Sequence, residues 1–272
     1  MPRLDKPDWI RLARAIPAGR VGVSLKLLEA KSTFSWHGDH DFPAASVIKI
    51  PIMMELYRQA AMGVLSLDKQ IALQDTDKVA GGVLSQLHAG LELSLEDLCR
   101  LMIIASDNTA SNLLLDRVKM PAVNELMDHL QMRGSHLGRR FMEPPTPERD
   151  NRMTADDAVL CLEAIHGGAL LGERSSSAVA TLQSQLFREK IPALLPSDVK
   201  VGNKTGELEG VRHDAALIEL PGRTYALAVF TAEGTDDALT DRGIAELSLA
   251  IYLDLKEDLG GREERPDGNP ST

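Results

Sequence analysis

The strongest constraint on this chain is a change of hydrophobic period that happens twice. Near the start, "GRVGVSLKLLE" and "STFSWHG" alternate or run in β-branched residues, as do "DVKVGNKTGE", "RHDAALIELPG" and "RTYALAVFTAE" near the end. Between them, from Ser46 to about Leu195, apolar residues recur at three-to-four spacing through 46–61, 94–104, 108–118, 121–131, 154–166 and 174–187. Alternation lines one face of a sheet, whereas three-to-four spacing lines one stripe of a helix. Further amphipathic helices are expected at 7–16 and 238–256. Ser94 stands three residues before Asp97 and Thr154 three before Asp157, a helix-start pattern, and Pro221-Gly222 marks a turn between the last two strands.

The economical solution is an α/β two-lobe fold. Strands from both chain ends form one antiparallel sheet (an early hairpin and three late strands). Terminal helices cover that sheet, and an all-helical lobe is inserted between. The expected boundaries are 1–42 and 196–259 for the α/β lobe and 43–195 for the helical lobe. The Pro/Gly-rich polar stretch 260–272 is expected to be a disordered tail. A cleft between two such lobes is a common place for a site.

Composition narrows the function by exclusion. A formal net charge of −10, with Lys and Arg scattered, is poorly suited to nucleic acid or an anionic membrane surface. No stretch approaches the roughly 18 consecutive apolar residues of a membrane span. "MPRLDKPDWIRLARAIPAG" has no apolar core of a signal peptide, so the expected compartment is cytoplasmic, or periplasmic or secreted if a leader has been trimmed. Cys99 and Cys161 both sit in apolar helical patterns and read as small buried hydrophobes. No metal ligand set or cofactor motif is visible, and a monomer is expected.

Three short motifs carry chemistry only together. Ser-x-x-Lys occurs three times, at Ser46–Lys49, Ser66–Lys69 and Ser197–Lys200. The last two enclose an Asp and read as solvated turns. "SVIK" is flanked by Ala44-Ala45 and Ile50, so Lys49 points along a buried face. Taken alone, it is a lysine that buries its stem and surfaces its head. "IIASDNTASNLLLD" sets Ser106, Asp107 and Asn108 between two helical runs, where a helix cap is the plain reading. "VKVGNKTGELEG" puts Lys204, Thr205 and Gly206 late in a strand, plainly an edge lysine and a turn glycine.

In this order, Ser-x-x-Lys, Ser-Asp-Asn and Lys-Thr-Gly resemble the three-part signature of class A serine β-lactamases and penicillin-binding proteins, and the resemblance spans nearly the whole chain. It implies a β-lactamase fold and a serine hydrolase that opens the β-lactam ring through an acyl-enzyme on Ser46. A serine hydroxyl needs an adjacent base, and three residues along a helix keep Lys49 on its face. Apolar surroundings and Lys204 would push Lys49 toward the neutral amine. By resemblance, Ser106 passes a proton to the leaving nitrogen, and Asn108 binds the substrate's amide side chain. Lys204 supports Ser106 and, with Thr205 beside Gly206, attracts a substrate carboxylate. The backbone N–H groups of Ser46 and Glu207 form the oxyanion hole. Arg212 either adds positive charge for that carboxylate or is a plain surface arginine.

The segment "GRRFMEPPTPERDNRMT" is where the resemblance thins. Glu143-Pro144 resembles the Glu-Pro of the loop that activates the deacylating water, with Arg140 and Asp150 as its closing ion pair. The loop is shorter than usual, the following asparagine is missing, and two prolines stand instead. Glu143 is therefore the base, a displaced base or a surface carboxylate, with Glu148 in reserve, and slow turnover is expected. Met53 stands where the partner of Cys99 would be, so no disulfide is expected. The substrate is a small-molecule β-lactam or an acyl amide or ester. The competing readings are a D-Ala-D-Ala peptidase or esterase of the same fold, and a β-lactam-binding sensor that acylates without turnover.

Overall fold

The computed structural model describes residue 4, residues 6–30 and residues 32–263, with side chains through residue 258. One antiparallel sheet of five strands has the order β2-β1-β9-β8-β7. Its members are β1 (Ala18–Leu27), β2 (Ser32–Trp36), β7 (Val201–Leu208), β8 (Val211–Leu220) and β9 (Arg223–Gly234). The chain's ends meet at β1 and β9, where Leu25 lies opposite Leu227 and Gly22 opposite Phe230. The sheet is thus closed by a pairing that no local signal encodes.

Strand alternation divides the interior into two cores. Ala215, Leu217, Ala226, Ala228 and Phe230 face the helical lobe. Their neighbours Ala216, Ile218, Tyr225, Leu227 and Val229 face the terminal helices α1 (Pro7–Ala15) and α8 (Asp237–Glu263). Trp9 on α1 donates to Asp254 on α8 at 2.7 Å, which keeps the indole N–H satisfied in the second core. The alanines facing the helical lobe are small, and α6 (Ala155–Gly167) packs closely against β1, β8 and β9.

The helical lobe contains α2 (Lys49–Ala61), α3 (Leu95–Ile104), α4 (Asn108–Val118), α5 (Met120–His129), α6 and α7 (Arg174–Gln183). α2 is its axis, with Ile50, Ile52, Met53, Met54, Leu56 and Tyr57 all buried. Ser94 accepts from Asp97 N while Asp97 accepts back from Ser94 N, a reciprocal cap of α3. Thr154 caps α6 through Asp157 N. Two small sheets tie loops down: β3 (Phe42–Pro43) with β6 (Arg152–Met153), and β4 (Gln70–Ala72) with β5 (Glu92–Ser94). Neither was read from the sequence, being too short for periodicity to show.

Three boundaries differ from expectation by several residues, the first being the start of α2 at Lys49 rather than Ser46, which lies in the preceding turn. α7 ends at Gln183 rather than 187, because Gln185 turns inward and donates to Ile103 O at 2.9 Å. α8 continues through Glu263, so residues 260–263, assigned to the tail, are helical, while 264–272 lie outside the described residues. Among the described residues no helix is long and apolar enough to cross a membrane.

Candidate active site

The sheet's edge strand β7 and the turn before α2 come together at Gly206. A Cβ at Gly206 would lie 3.0 Å from Val47 Cγ2, 3.1 Å from Ala45 Cβ and 3.2 Å from Ser46 N. A side chain here would push strand and turn apart by a few tenths of an ångström, so the glycine lets them sit this close. Ser46 sits in the turn, and α2 proper begins at Lys49, whose N–H donates to Ser46 O at 3.2 Å. Ala45 holds φ of 45°, a left-handed conformation that costs roughly 1–2 kcal/mol for a residue with a Cβ. Among the described residues neither Ser46 N–H nor Ser46 Oγ has a hydrogen-bond partner.

Ser106 is the meeting point of two buried lysines. Lys49 Nζ lies 3.1 Å from Ser106 Oγ, and Lys204 Nζ lies 3.1 Å from the same oxygen. Lys49 also reaches Ser106 O at 2.7 Å and Asn108 Oδ1 at 2.8 Å, and Lys204 donates to Thr205 O at 2.7 Å. Ser106 carries φ of 52°, so the second strained residue of the region is again at the cleft. Burial, then the charge of Lys204, push the Lys49 ammonium well below the usual lysine range, against the pull of Asp107. Burial brings Lys204 down to about 7, although Asp214 and Glu207 oppose it.

Asp107 and Asn108 tie the start of α4 to the 80–84 segment. The fully buried Asp107 carboxylate caps α4 through Ala110 N at 2.8 Å and accepts from Val83 N at 2.6 Å and Leu84 N at 2.8 Å. Asn108 donates from Nδ2 to Ala80 O at 2.9 Å while its Oδ1 receives Lys49. Both ends of Asn108 are therefore engaged within the protein. Thr205 is nearly buried, and its hydroxyl makes no hydrogen bond among the described residues.

The 138–151 loop is fixed to α4 but does not bring Glu143 to the cleft. Asn112 and Phe141 exchange hydrogen bonds at 3.0 and 3.1 Å, and the Phe141 ring lies under Lys49 Nζ at 4.7 Å. Glu143 is exposed. Its carboxylate accepts from Arg140 N at 3.3 Å and stands 3.9 Å from Arg149, with no bond to Ser46, Lys49 or Ser106. Glu148 is exposed too and accepts from Thr146 at 3.2 Å. The expected Arg140–Asp150 pair is not formed. Arg139 takes Asp150 at 2.9 Å and Arg140 takes Asp116 on α4.

Arg212 lies opposite Glu207 in the β7–β8 register, but its guanidinium is committed to Asp241, with Glu207 at 3.3 Å and Asp237 at 3.7 Å. Two site-shaping residues escaped the sequence reading. Lys190, fully buried, contacts Glu207 at 2.6 Å, Glu189 at 3.0 Å and Asp241 at 3.7 Å. His213, opposite Gly206, donates from Nε2 to Pro43 O at 2.9 Å, accepts from Thr231 N at 3.1 Å, and stacks on Phe230. Burial pulls its pKa down to about 4, so the neutral ring holds the segment leading to Ser46. Nothing in a lone strand histidine or a lone loop lysine signals either contact. Among the described residues no three His, Cys, Asp or Glu side chains gather as metal ligands, and Cys99 and Cys161 are free and buried.

A two-lobe α/β fold in which Ser-x-x-Lys, Ser-Asp-Asn and Lys-Thr-Gly meet at one cleft defines the class A β-lactamase type of protein. Residues 10–255 match the model of the β-lactamase enzyme family, and the chain belongs to that family. It is 33% identical to β-lactamase L2 of Stenotrophomonas maltophilia over 220 residues, 78% of this chain and 72% of that protein. Among solved structures, the β-lactamase of Sphaerobacter thermophilus superposes with a TM-score of 0.84 at 37% identity, over 90% of this chain and 94% of that one. PBP-A shares the fold with a TM-score of 0.85 at 21% identity, over 94% and 98% of the two chains.

Proposed function

We propose that this protein is a serine hydrolase that opens β-lactams through an acyl-enzyme on Ser46, with deacylation as its slow step. The observation that carries this is the pair of lysines on Ser106 Oγ, both 3.1 Å away, with Ser46 in the turn that leads into Lys49's helix. An amine has two N–H groups and one lone pair. With its ammonium disfavoured by burial, Lys49 in the amine form keeps N–H groups on Ser106 O and Asn108 Oδ1, its two shorter contacts, and has its lone pair left to accept a proton. Ser46 loses its proton to that lone pair as Oγ attacks the lactam carbonyl, and Ser106, supported by Lys204, returns a proton to the departing nitrogen. The unpartnered Ser46 N–H and the N–H of Glu207 receive the developing oxyanion. Thr205, whose hydroxyl has no partner among the described residues, faces substrate, and Asn108 serves chiefly to hold Lys49.

Deacylation needs a base aimed at the ester from elsewhere, and the loop offers the Phe141 ring where it meets Lys49, with Glu143 exposed. That observation favours a second reading, a peptidase or esterase of D-Ala-D-Ala type in which a β-lactam behaves as a slow substrate. Mass spectrometry of the protein with a penicillin over time separates the two. A transient adduct means hydrolase and a lasting one means the second reading. No adduct at all overturns the acyl-enzyme.

A further inference from the structure

Just past Lys-Thr-Gly, two cations share four carboxylates. Lys190 is bound by Glu207, Glu189 and Asp241, and Arg212 by Asp241, Glu207 and Asp237. The cluster is thus net negative, and its charges are unequally displayed. The Lys190 side chain is wholly buried and that of Arg212 only 13% exposed, whereas Glu207 and Asp237 are 41% and 54% exposed. A molecule arriving here meets carboxylate oxygens first. Along β7, residues two apart share a face, so Glu207 follows Thr205 on the same side at about 7 Å. Lys190 and Arg212, with Lys204, are the cations placed to attract an anion here, and Glu207 already occupies the first two.

We propose that Glu207 sets substrate charge preference, disfavouring acyl donors with a carboxylate beyond Thr205 and favouring neutral or amine-bearing ones. This rests on the acyl-enzyme reading above. A fixed like charge beside the docking position of an anion slows its capture, and salt relieves the effect. Lys204 still attracts an anion, but buried and half-neutral near pH 7 it does so weakly.

The test compares benzylpenicillin with its neutral methyl ester, following the second-order rate of adduct formation by mass spectrometry so that slow deacylation does not intervene. Glu207→Gln, which keeps the side chain's size, is expected to raise the anion-to-ester ratio about fivefold, the scale of one partly exposed charge pair. Asp237→Asn should shift it the same way by less, and added salt should raise the ratio in the unaltered protein. A ratio unchanged or lowered in Glu207→Gln, with adducts still forming from both compounds, overturns this assignment alone. If the unaltered protein forms an adduct with neither compound, the acyl-enzyme reading falls and this one with it.

Discussion

Lys49 Nζ lies 4.7 Å above the ring of Phe141, so the lysine's side toward the 138–151 loop is covered by an aromatic face. Reciprocal bonds between Asn112 and the Phe141 backbone hold the ring there. This contact does two things at once. It keeps Lys49 dry, which favours the amine, and it turns an aromatic face of that loop, rather than a carboxylate, toward the lysine.

The nucleophile is the first assignment to test. Ser46→Ala should abolish adduct formation with penicillin, lowering the rate by on the order of 10³ or more, while melting temperature changes little. Ser66→Ala, which removes the serine of a second Ser-x-x-Lys, should acylate normally. An adduct on Ser46→Ala would refute the assignment.

Glu143→Ala should leave both acylation and turnover within about twofold of the unaltered protein, the margin of an exposed residue outside the site. Single-turnover kinetics with a chromogenic β-lactam measures both steps. A burst followed by a stalled adduct would show instead that Glu143 swings in to act as the base.

Lys204→Met should abolish efficient acylation yet stabilise the fold by about 1–2 kcal/mol, because the burial penalty on this ammonium exceeds what Asp214 and Glu207 return. Lys204 titrates near 7 when folded and near 10.5 when unfolded, so the unfolded chain binds more protons between those values. Its penalty is therefore complete below pH 7 and fades as pH rises toward 10.5. Denaturant titrations at pH 6 and pH 10 should show the Met variant's advantage shrinking at the higher pH. An advantage that grows with pH would contradict a depressed lysine.

His213→Phe should keep the stack on Phe230 but strand Pro43 O and Thr231 N, costing about 2–4 kcal/mol. Because Pro43 leads directly to Ala44–Ser46, acylation should also slow, with kcat falling more than KM rises. A loss of stability with unchanged acylation would reduce His213 to a packing role.

The sequence determined the element types, their order and the three motifs, because hydrophobic period and capping chemistry act over a few residues. "SVIK" against an apolar run already put the stem of Lys49 along a buried face, and "VKVGNKTGE" already read as a strand, but the full burial of the Lys49 head came only with the fold. Only the tertiary structure decided which cations are free. Arg212 reads in sequence as a candidate for a substrate's carboxylate, but Asp241, from a helix 29 residues on, claims it. Arg140 reads as the partner of Asp150, but Asp116 on α4 takes it and Arg139 takes Asp150. Lys190 and His213 gained their roles from residues 17 and 170 positions away. Glu143, one of the readings of the loop's carboxylate, stands exposed with Arg140 N and Arg149 as its contacts, while Phe141 of the same loop meets Lys49. Charge pairing and burial are set by whatever the fold brings within a few ångströms, and periodicity is blind to neighbours that far along the chain.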